Sequence, residues 1–242
     1  TVSDTGSITT TGREGHGIWN WGSTNITTMS GSITTSGEDG YGIYNRGDTN
    51  KTTMSGSITT SGEEGDGIYN RGDTNITTMS GSITTSGELA YGIYNRGDTN
   101  TTTVSGSIKT SGDLGHVIYN KGNSNTTEMS GSIIATGLQV YAIADEGNSN
   151  KTTISGIISI NVDDYTGTLD PEDIAYGAGM GYIAGGNNNT ATISGSITSV
   201  RPYAYGAVTM GLNNSIAISG TVKASGSKSV ALYALTGDGG TF

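Results

Sequence analysis

One short segment of this sequence returns every 25 residues, and that period limits the folds open to the chain more than any other feature. The segment SGSITTSG begins at Ser30, and a variant of it begins at Thr5. Further copies, some of them degenerate, begin at Ser55, Ser80, Ser105, Ser130, Ser155, Ser194 and Ser219. A fixed period of this length is typical of repeat architectures, in which each repeat packs mainly on its neighbours.

Each repeat contains three short segments in which apolar and polar residues alternate, separated by glycine-rich corners. In one repeat these segments cover residues 31–36, 42–45 and 50–54. Alternation with a period of two predicts strands, and the density of Gly, Thr and Asn disfavours helices. We therefore predict an all-β fold, a right-handed parallel β-helix (solenoid) with about 25 residues per three-sided coil and roughly nine coils. At about 4.8 Å per coil, such a rod is on the order of 40 Å long.

The sequence predicts a single β-helix over residues 1–242, with one interruption. Residues 1–160 hold the regular repeats and residues 175–242 hold degenerate ones. The step from Ser155 to Ser194 is 39 residues, which exceeds one period by 14, and the excess falls at residues 161–174. Excursions from solenoids often carry function. The carboxylate residues of this insertion are candidates for a loop site: Asp163, Asp164, Asp170, Glu172 and Asp173.

Stacked coils predict rows of similar side chains that run along the rod. Three apolar rows should form a thin interior, comprising Ile8, Ile33, Ile58, Ile83, Ile108, Ile133 and Ile158; Ile18, Ile43, Ile68, Ile93, Ile118 and Ile143; and Met29, Met54, Met79, Val104, Met129 and Ile154. A buried threonine row should hydrogen-bond up the stack, comprising Thr27, Thr52, Thr77, Thr102, Thr127 and Thr152. Two asparagine rows should form amide ladders at the corners: Asn20, Asn45, Asn70, Asn95 and Asn120, and Asn25, Asn50, Asn75, Asn100, Asn125 and Asn150. The glycines at 22, 47, 72, 97, 122 and 147 should supply a positive φ.

Composition agrees with a thin core and excludes several classes of function. With 41 Gly, 1 Phe and 2 Trp, the chain lacks the side chains of a compact core. A formal net charge of −10 would repel nucleic acids and anionic membranes, and no apolar segment approaches the roughly 20 residues of a spanning helix. Because there is no Cys, neither disulfides nor thiol-based metal sites can form. We expect no nucleic-acid partner and no membrane insertion.

An aromatic row takes the outward parity beside an inward isoleucine row. It comprises Trp19, Tyr44, Tyr69, Tyr94 and Tyr119. This pattern predicts an exposed stripe of rings stacked along the axis. Such a stripe could bind sugar faces or a partner rod, or it could only stiffen this face. Both interpretations stay open at this stage.

An acidic row marks another corner. It comprises Glu38, Glu63, Glu88 and Asp113, with Asp39 and Glu64 beside two of them. Carboxylates are calcium ligands, so weak Ca²⁺ binding is one interpretation, and a solvated charged face is the other. The nonapeptide of calcium-filled β-rolls is absent, so we predict no cofactor, with weak Ca²⁺ binding as the alternative.

The tripeptide Arg-Gly-Asp occurs three times, beginning at Arg46, Arg71 and Arg96. It matches the integrin-recognition motif of matrix proteins. The same position reads Trp21-Gly22-Ser23 elsewhere, and the glycine already has a role at the corner. We therefore expect basic and acidic ladders that neutralise each other across coils.

Catalysis is not expected. The loop carboxylates could act as acid and base in glycoside hydrolysis only if they were held at the required separation. The histidines are His16 and His116, and no Ser-His-Asp arrangement is evident. Ice binding is also disfavoured, since the outward row of Thr34, Thr59 and Thr84 passes to Lys109 and Ile134.

The combination of Gly-Ile-Tyr-Asn-Arg-Gly with a Ser-Gly-Ser-Ile-Thr-Thr-Ser-Gly coil resembles the repeat region of bacterial autotransporter passengers and haemagglutinin-type adhesins. The resemblance covers nearly the whole chain and implies display outside a bacterial cell. We expect a non-catalytic extracellular rod that acts as a cell-surface stalk or stacks end to end into a fibre. The alternative is a monomeric adhesin that binds a glycan or a host surface protein. The absence of an initiator Met before Thr1 suggests a processed or excised segment.

Overall fold

The computed structural model describes residues 1–161 and 179–235. These residues wind into nine coils, and each coil contributes one strand to each of three parallel sheets, which we name A, B and C. Within those ranges there are 27 strands and no helix. The predicted all-β parallel solenoid with about 25 residues per coil is therefore confirmed.

Most strands have four residues, because β-branched Ile, Val and Thr alternate over short stretches between glycine-rich corners. Sheet A contains β1 (Val2–Asp4), β4 (Ile26–Met29), β7 (Lys51–Met54), β10 (Ile76–Met79), β13 (Thr101–Val104), β16 (Thr126–Met129), β19 (Lys151–Ile154), β22 (Thr190–Ile193) and β25 (Ser215–Ile218). Sheet B contains β2 (Ser7–Thr10), β5 (Ser32–Thr35), β8 (Ser57–Thr60), β11 (Ser82–Thr85), β14 (Ser107–Thr110), β17 (Ser132–Ala135), β20 (Ile157–Asn161), β23 (Ser196–Val200) and β26 (Thr221–Ser225).

Sheet C carries the aromatic row, and its later strands are longer than its earlier ones. It contains β3 (Ile18–Trp21), β6 (Ile43–Arg46), β9 (Ile68–Arg71), β12 (Ile93–Arg96), β15 (Ile118–Lys121), β18 (Val140–Glu146), β21 (Gly179–Gly185), β24 (Ala204–Met210) and β27 (Val230–Leu235).

The pairing register locates the interruption of the repeat. Ala135 pairs with Ile160, which lies 25 residues further on, whereas Val140 pairs with Gly179, which lies 39 residues further on. The additional residues therefore lie between Ile160 and Gly179. The carboxylate residues of the predicted insertion, Asp163, Asp164, Asp170, Glu172 and Asp173, fall outside the described residues.

The interior consists of the predicted apolar rows. Isoleucines of sheets B and C and methionines of sheet A, such as Ile58, Ile68 and Met54, are buried in one cluster. The threonine row is buried too, but it does not bond up the stack as predicted. Instead, Thr52 Oγ1 accepts a hydrogen bond from Asn45 Nδ2 at 2.9 Å. Each such threonine therefore bonds to a polar side chain of the preceding strand in its own repeat.

The interior asparagine row forms the predicted ladder of side-chain amides, whereas in the corner row the side-chain oxygens mainly accept backbone N–H groups of the neighbouring coil. In the interior, Asn45 Nδ2 donates to Asn70 Oδ1 at 2.7 Å, and Asn70 Nδ2 donates to Asn95 Oδ1 at 2.7 Å. At the corner before sheet A, Asn75 Oδ1 accepts the backbone N–H of Asn50 at 2.8 Å. Since buried amides need partners, these ladders let a thin core hold polar groups.

Two features of the corners explain the invariable spacing of the coils. A Cβ added to Gly81 would lie 1.9 Å from the carbonyl oxygen of Gly56, so only glycine lets these corners stack. Gly72 has φ 146°, as its row was predicted to have a positive φ. The residue two positions later, Thr74, is also left-handed with φ 57°, which a β-branched residue rarely adopts.

In the described part of the chain, no helix is long and apolar enough to span a membrane.

Candidate functional site

The outward tyrosines of sheet C stack along the rod axis as predicted. Parallel pairing in register sets successive rings one coil apart. The ring centroids of Tyr44 and Tyr69 are 5.1 Å apart, those of Tyr69 and Tyr94 are 4.9 Å apart, and those of Tyr94 and Tyr119 are 5.2 Å apart. The rings of these three pairs are inclined by 15° or less. They form one continuous column.

The prediction that this stripe is exposed is wrong for most of its members. Trp19 in the first coil is 52% exposed, but Tyr44, Tyr69 and Tyr119 are buried, with 7 to 8% of their surface exposed, and Tyr94 is half-buried. The cause is a second row of side chains, three positions earlier in each repeat, that packs edge-on against the column. Tyr41, for example, lies 5.1 Å from Tyr69 at an interplanar angle of 80°.

This second row comprises His16, Tyr41, Asp66, Tyr91, His116 and Tyr141. Where rings are adjacent they stack: His16 and Tyr41 at 4.9 Å and 4°, and His116 and Tyr141 at 4.2 Å and 18°. Asp66 interrupts the row with a carboxylate. Both histidines also accept a backbone hydrogen bond at Nδ1, as in the bond from Tyr141 N at 3.1 Å.

On the other side of the column lie the cations of the Arg-Gly-Asp repeats. Arg71 and Arg96 interact with the hydroxyl groups of Tyr44 and Tyr69, respectively. In the first coils, the Arg46 guanidinium lies 4.0 Å above the Trp21 ring. Each of these arginines therefore contacts an aromatic side chain.

The predicted neutralisation of the arginines by the aspartates of the same motif is wrong. Asp48 Oδ1 accepts the backbone N–H of Asp73 at 2.9 Å, and Asp73 Oδ1 accepts that of Asp98 at 2.7 Å. Within the described residues, the ion pairs closer than 4.0 Å join Arg13 to Glu38 and Asp39. The aspartates of the motif therefore serve a hydrogen-bond ladder between coils.

The tyrosine column, the second row and the cations together enclose a groove of about 450 Å³ on the outer face of sheet C. Its lining includes Tyr41, Tyr44, Asp66, Tyr69, Tyr91, Tyr94 and Tyr119 between Glu64 and Leu89 on one side and Arg71, Arg96 and Lys121 on the other. A smaller cavity that shares Tyr41 and Tyr44 continues it to His16 and Trp19. We call the larger one the aromatic groove.

The groove has an uneven electrostatic character. Burial raises the pKa of Tyr94 to about 12 and raises the pKa of Tyr69, so both phenols stay neutral at physiological pH. Burial lowers the pKa of His116, so this imidazole is neutral as well. The acidic side is set by Glu64 and Asp66, and the basic side by the arginines.

Asp66 is the most unusual group of the site. Only 3% of its surface is exposed, and its Oδ1 accepts the backbone N–H of Tyr91 at 2.7 Å. Burial raises the pKa of this carboxyl well above its usual range, and the nearby Glu64 and Asp39 raise it further. Buried carboxylates with shifted pKa values are enriched at functional sites.

The other predicted site residues are not brought together in this way. Glu38, Glu63, Glu88 and Asp113 lie exposed along their corner. Among residues 1–161 and 179–235, no group of three or more His, Asp or Glu side chains is arranged to hold a metal ion. Weak Ca²⁺ binding at this corner stays a prediction.

The sequence-based prediction of the stripe did not include Asp66 or the rest of the second row. Two signals in the sequence point to them. The members of that row from His16 to His116 each stand three residues before a member of the stripe, and Asp66 is the only carboxylate among the rings from His16 to Tyr141. Their packing depends on the corner conformation, which the period-two pattern does not specify.

No protein-family model, curated protein sequence or solved structure matches this chain.

Proposed function

We propose that this chain is a non-catalytic structural and adhesion protein of an extracellular bacterial surface, a stiff β-solenoid rod that acts as a stalk or stacks end to end into a fibre. The sequence resemblance to autotransporter passengers and haemagglutinin-type adhesins motivates the location. The physical support is the way in which repeated polar groups are used.

One observation carries the proposal: the recurring polar side chains bond to the neighbouring coil. Interior amides bond between coils at Asn70 and Asn95, corner amides bond at Asn50 and Asn75, and the motif carboxylates bond at Asp73 and Asp98. Bonds of this kind resist bending and stretching because all coils must move together. A chain that devotes its repeated chemistry to stiffness is suited to a mechanical role.

The aromatic groove supports the alternative of a monomeric adhesin. Its tyrosines, with Arg71 and Arg96 beside them, line a groove that runs past polar groups along several coils. Extended grooves of this kind suit oligosaccharides or a partner protein. The stalk and the adhesin are compatible, since a rod can carry a ligand along its side.

Electron microscopy tests the two forms of the rod. Negative staining of the purified chain at several concentrations should show straight particles on the order of 40 Å long, or filaments built from them along the rod axis. Filaments that lengthen with concentration support the fibre, and particles that stay short support the stalk. Bent or globular particles would contradict the rod.

Immunogold labelling of the cells that make the protein tests the location. Label on the outer surface or in the surrounding matrix agrees with the proposal, and label confined to the cell interior contradicts it. A glycan array with the Tyr69→Ser/Tyr94→Ser variant beside the wild type then tests the groove. Binding lost at unchanged melting temperature favours an interaction surface, whereas a lowered melting temperature favours stiffening.

A further inference from the structure

The second row of the aromatic groove has a gap. Its rings stack one coil apart elsewhere, with centroids 4.9 Å apart for His16 and Tyr41. At Asp66 a carboxylate replaces the ring, so Tyr41 and Tyr91 are neighbours in the row at a distance of two coils, which is about 9.6 Å. This gap is a slot whose two side walls are ring faces.

The column of stacked tyrosines closes the slot from behind. Tyr69, the column residue of the same repeat as Asp66, contacts Tyr41 edge-on with centroids 5.1 Å apart at 80°. Tyr94 contacts Tyr91 in the same way, at 5.1 Å and 74°. The slot therefore has aromatic surfaces on three sides and opens to the groove.

The Asp66 carboxylate forms the floor, and half of it is unused. Oδ1 accepts the Tyr91 backbone N–H at 2.7 Å. Oδ2 has no hydrogen-bond or ion-pair partner among the described residues, although the side chain is 3% exposed. This oxygen is not among the atoms sealed away without a partner, so it reaches the space of the groove that Asp66 lines.

The charges near the slot are negative. Asp39 and Glu64 both act on Asp66 electrostatically. The arginines of the opposite side do not supply the missing positive charge, because Arg71 is engaged at the Tyr44 hydroxyl and Arg96 at the Tyr69 hydroxyl. A buried carboxylate without a counter-ion is costly, so it tends to hold a proton, as its raised pKa indicates, unless a positive charge joins it.

We propose that this slot binds an organic ammonium cation, with a methylated ammonium as its best ligand. A cation midway between Tyr41 and Tyr91 lies about 5 Å from each ring face, within the range of about 6 Å over which cation–π attraction acts. Tyr69 closes the slot from behind, and Asp66 Oδ2 supplies the counter-charge.

The counter-charge that Asp66 requires favours an organic cation over the alternatives. A neutral sugar would leave the carboxylate without a counter-charge. Asp39, Glu64 and Asp66 are not arranged as a metal-ligand cluster in the described chain.

This site is independent of whether the protein is a stalk, a fibre or an adhesin. The test is a titration of the ¹⁵N-labelled full chain with choline and with tetramethylammonium, followed by NMR. We expect saturable shifts that include the Tyr91 backbone amide, which contacts Asp66 directly. Glucose, which carries no charge, should produce no shift.

Variants at one position separate the charge from the space. Asp66→Asn should weaken choline binding by about tenfold or more, because it keeps the acceptor for the Tyr91 N–H and removes the charge. Asp66→Tyr should abolish binding, since it continues the row of rings and fills the slot. The matched control is Asp73→Asn, which removes an exposed carboxylate and keeps the ladder acceptor, as Asn123 does in the same row.

Several results would overturn the inference. These are the absence of saturable choline binding to the wild type, equal loss in Asp66→Asn and Asp73→Asn, undiminished binding in Asp66→Tyr, and Ca²⁺ binding the slot more tightly than choline. Circular dichroism and electron microscopy of each variant check folding and rod shape. If Asp66→Tyr fails to fold, the comparison of Asp66→Asn with Asp73→Asn still decides the question.

Discussion

The coils before and after residue 144 solve the same packing problem by different means. In the earlier coils of sheet C, an amide ladder runs inside and a tyrosine column runs outside, at Asn70 and Tyr69 for example. In the later coils, Asp145 is followed in register by Ala184 and Thr209 on the inside. The outside passes over the same coils to Ala144, Ile183 and Val208. The amide ladder and the tyrosine column end in the same coil.

The end of the interior ladder is a capping arrangement. Asp145 is fully buried and accepts hydrogen bonds from Asn120 Nδ2 and Thr152 Oγ1, both at 2.7 Å, and from the Tyr182 hydroxyl at 2.9 Å. Beyond it, the large Tyr182 side chain stands in register with Ile143 and Ala207. In the later coils, large and small side chains thus pack together to fill the interior. In the earlier coils, the same asparagine hydrogen bond is repeated from coil to coil.

This difference shows what a strict repeat provides. A ladder of identical amides is satisfied only if every coil has the same residue at the same height, so each bond depends on its neighbours. Packing by volume tolerates unlike residues, because a large side chain next to a small one occupies the same space. Substitutions should therefore be more costly in the repeated coils.

The largest effect is expected from glycine substitution at a stacked corner. In Gly81→Ala the new Cβ would meet the Gly56 carbonyl oxygen at 1.9 Å, so the coils must separate locally. We expect the free energy of unfolding to fall by about 4 kcal/mol in urea titrations. The control in the later coils is Gly185→Ala, whose Cβ has only ordinary contacts, the nearest at 3.7 Å to Glu146 Cγ, and should change stability by less than about 0.5 kcal/mol. Equal losses would show that corner geometry does not set the spacing.

A smaller loss is expected when the interior ladder is cut. Asn70→Ala removes the donor to Thr77 Oγ1 and Asn95 Oδ1 and leaves Asn45 Nδ2 without one of its two acceptors. We expect a loss of about 3 kcal/mol, measured by urea titration and by hydrogen exchange of the flanking coils.

The counterpart in the later coils is Thr209→Val. Thr209 Oγ1 is buried without a partner, so its replacement by a methyl group should leave stability unchanged or raise it by about 1 kcal/mol. A loss as large as that of Asn70→Ala would mean that the two regions do not differ in the way described above.

The sequence predicted what depends on the period and missed what depends on the corners. The strands, the interior rows at Ile58 and Met54, and the stacking of Tyr44 on Tyr69 follow from spacing and parity alone. The burial of that column does not, because it depends on where the corner places Tyr41. The pattern treats corners as connectors, whereas here their conformation builds the groove.

The corner conformation also explains why the hydrogen-bond partners of the polar rows were not predicted from the sequence. Parity correctly placed Thr52 inside, but its bond to Asn45 requires the two strands to meet at a corner, and the periodic pattern does not fix that angle. The role of the motif carboxylates was missed for a similar reason. Asp73 accepts the backbone N–H of Asp98 in the next coil, at a corner whose left-handed conformation the periodic pattern does not specify.

A pH-dependent effect is expected at Asp145, where the two regions meet. Burial raises the pKa of this carboxyl although three hydrogen bonds favour the ionised form. A raised pKa in the folded state contributes stability that is fully present below the unfolded pKa of about 3.9 and is lost as the pH rises through the folded pKa. Asp145→Asn should therefore gain stability relative to the wild type as the pH rises from 4 to 8.

The gain should be measured as the difference in free energy of unfolding at a series of pH values. Asn at this position can still accept the Asn120 amide, and its own amide can donate to Thr152, as Asn120 donates to Thr127. Asp98→Asn, which removes an exposed carboxylate, controls for the loss of one negative charge. A difference that is constant with pH, or that shrinks as the pH rises, would contradict the assignment.

The smallest effect is expected from relief of backbone strain at the corner before sheet A. Thr74 holds φ 57° in the repeated coils, whereas Asn213 holds φ 56° at the equivalent position of a later coil. Left-handed backbone costs a β-branched residue about 1 kcal/mol more than Asn. Thr74→Asn should therefore raise the free energy of unfolding by about 1 kcal/mol, and the reciprocal Asn213→Thr should lower it by a similar amount. If Thr74→Asn proved neutral, the hydrogen bond from Thr74 Oγ1 to the Asp73 carbonyl oxygen at 2.7 Å would be compensating the strain, and the repeated coils would gain from threonine what the later coils gain from asparagine.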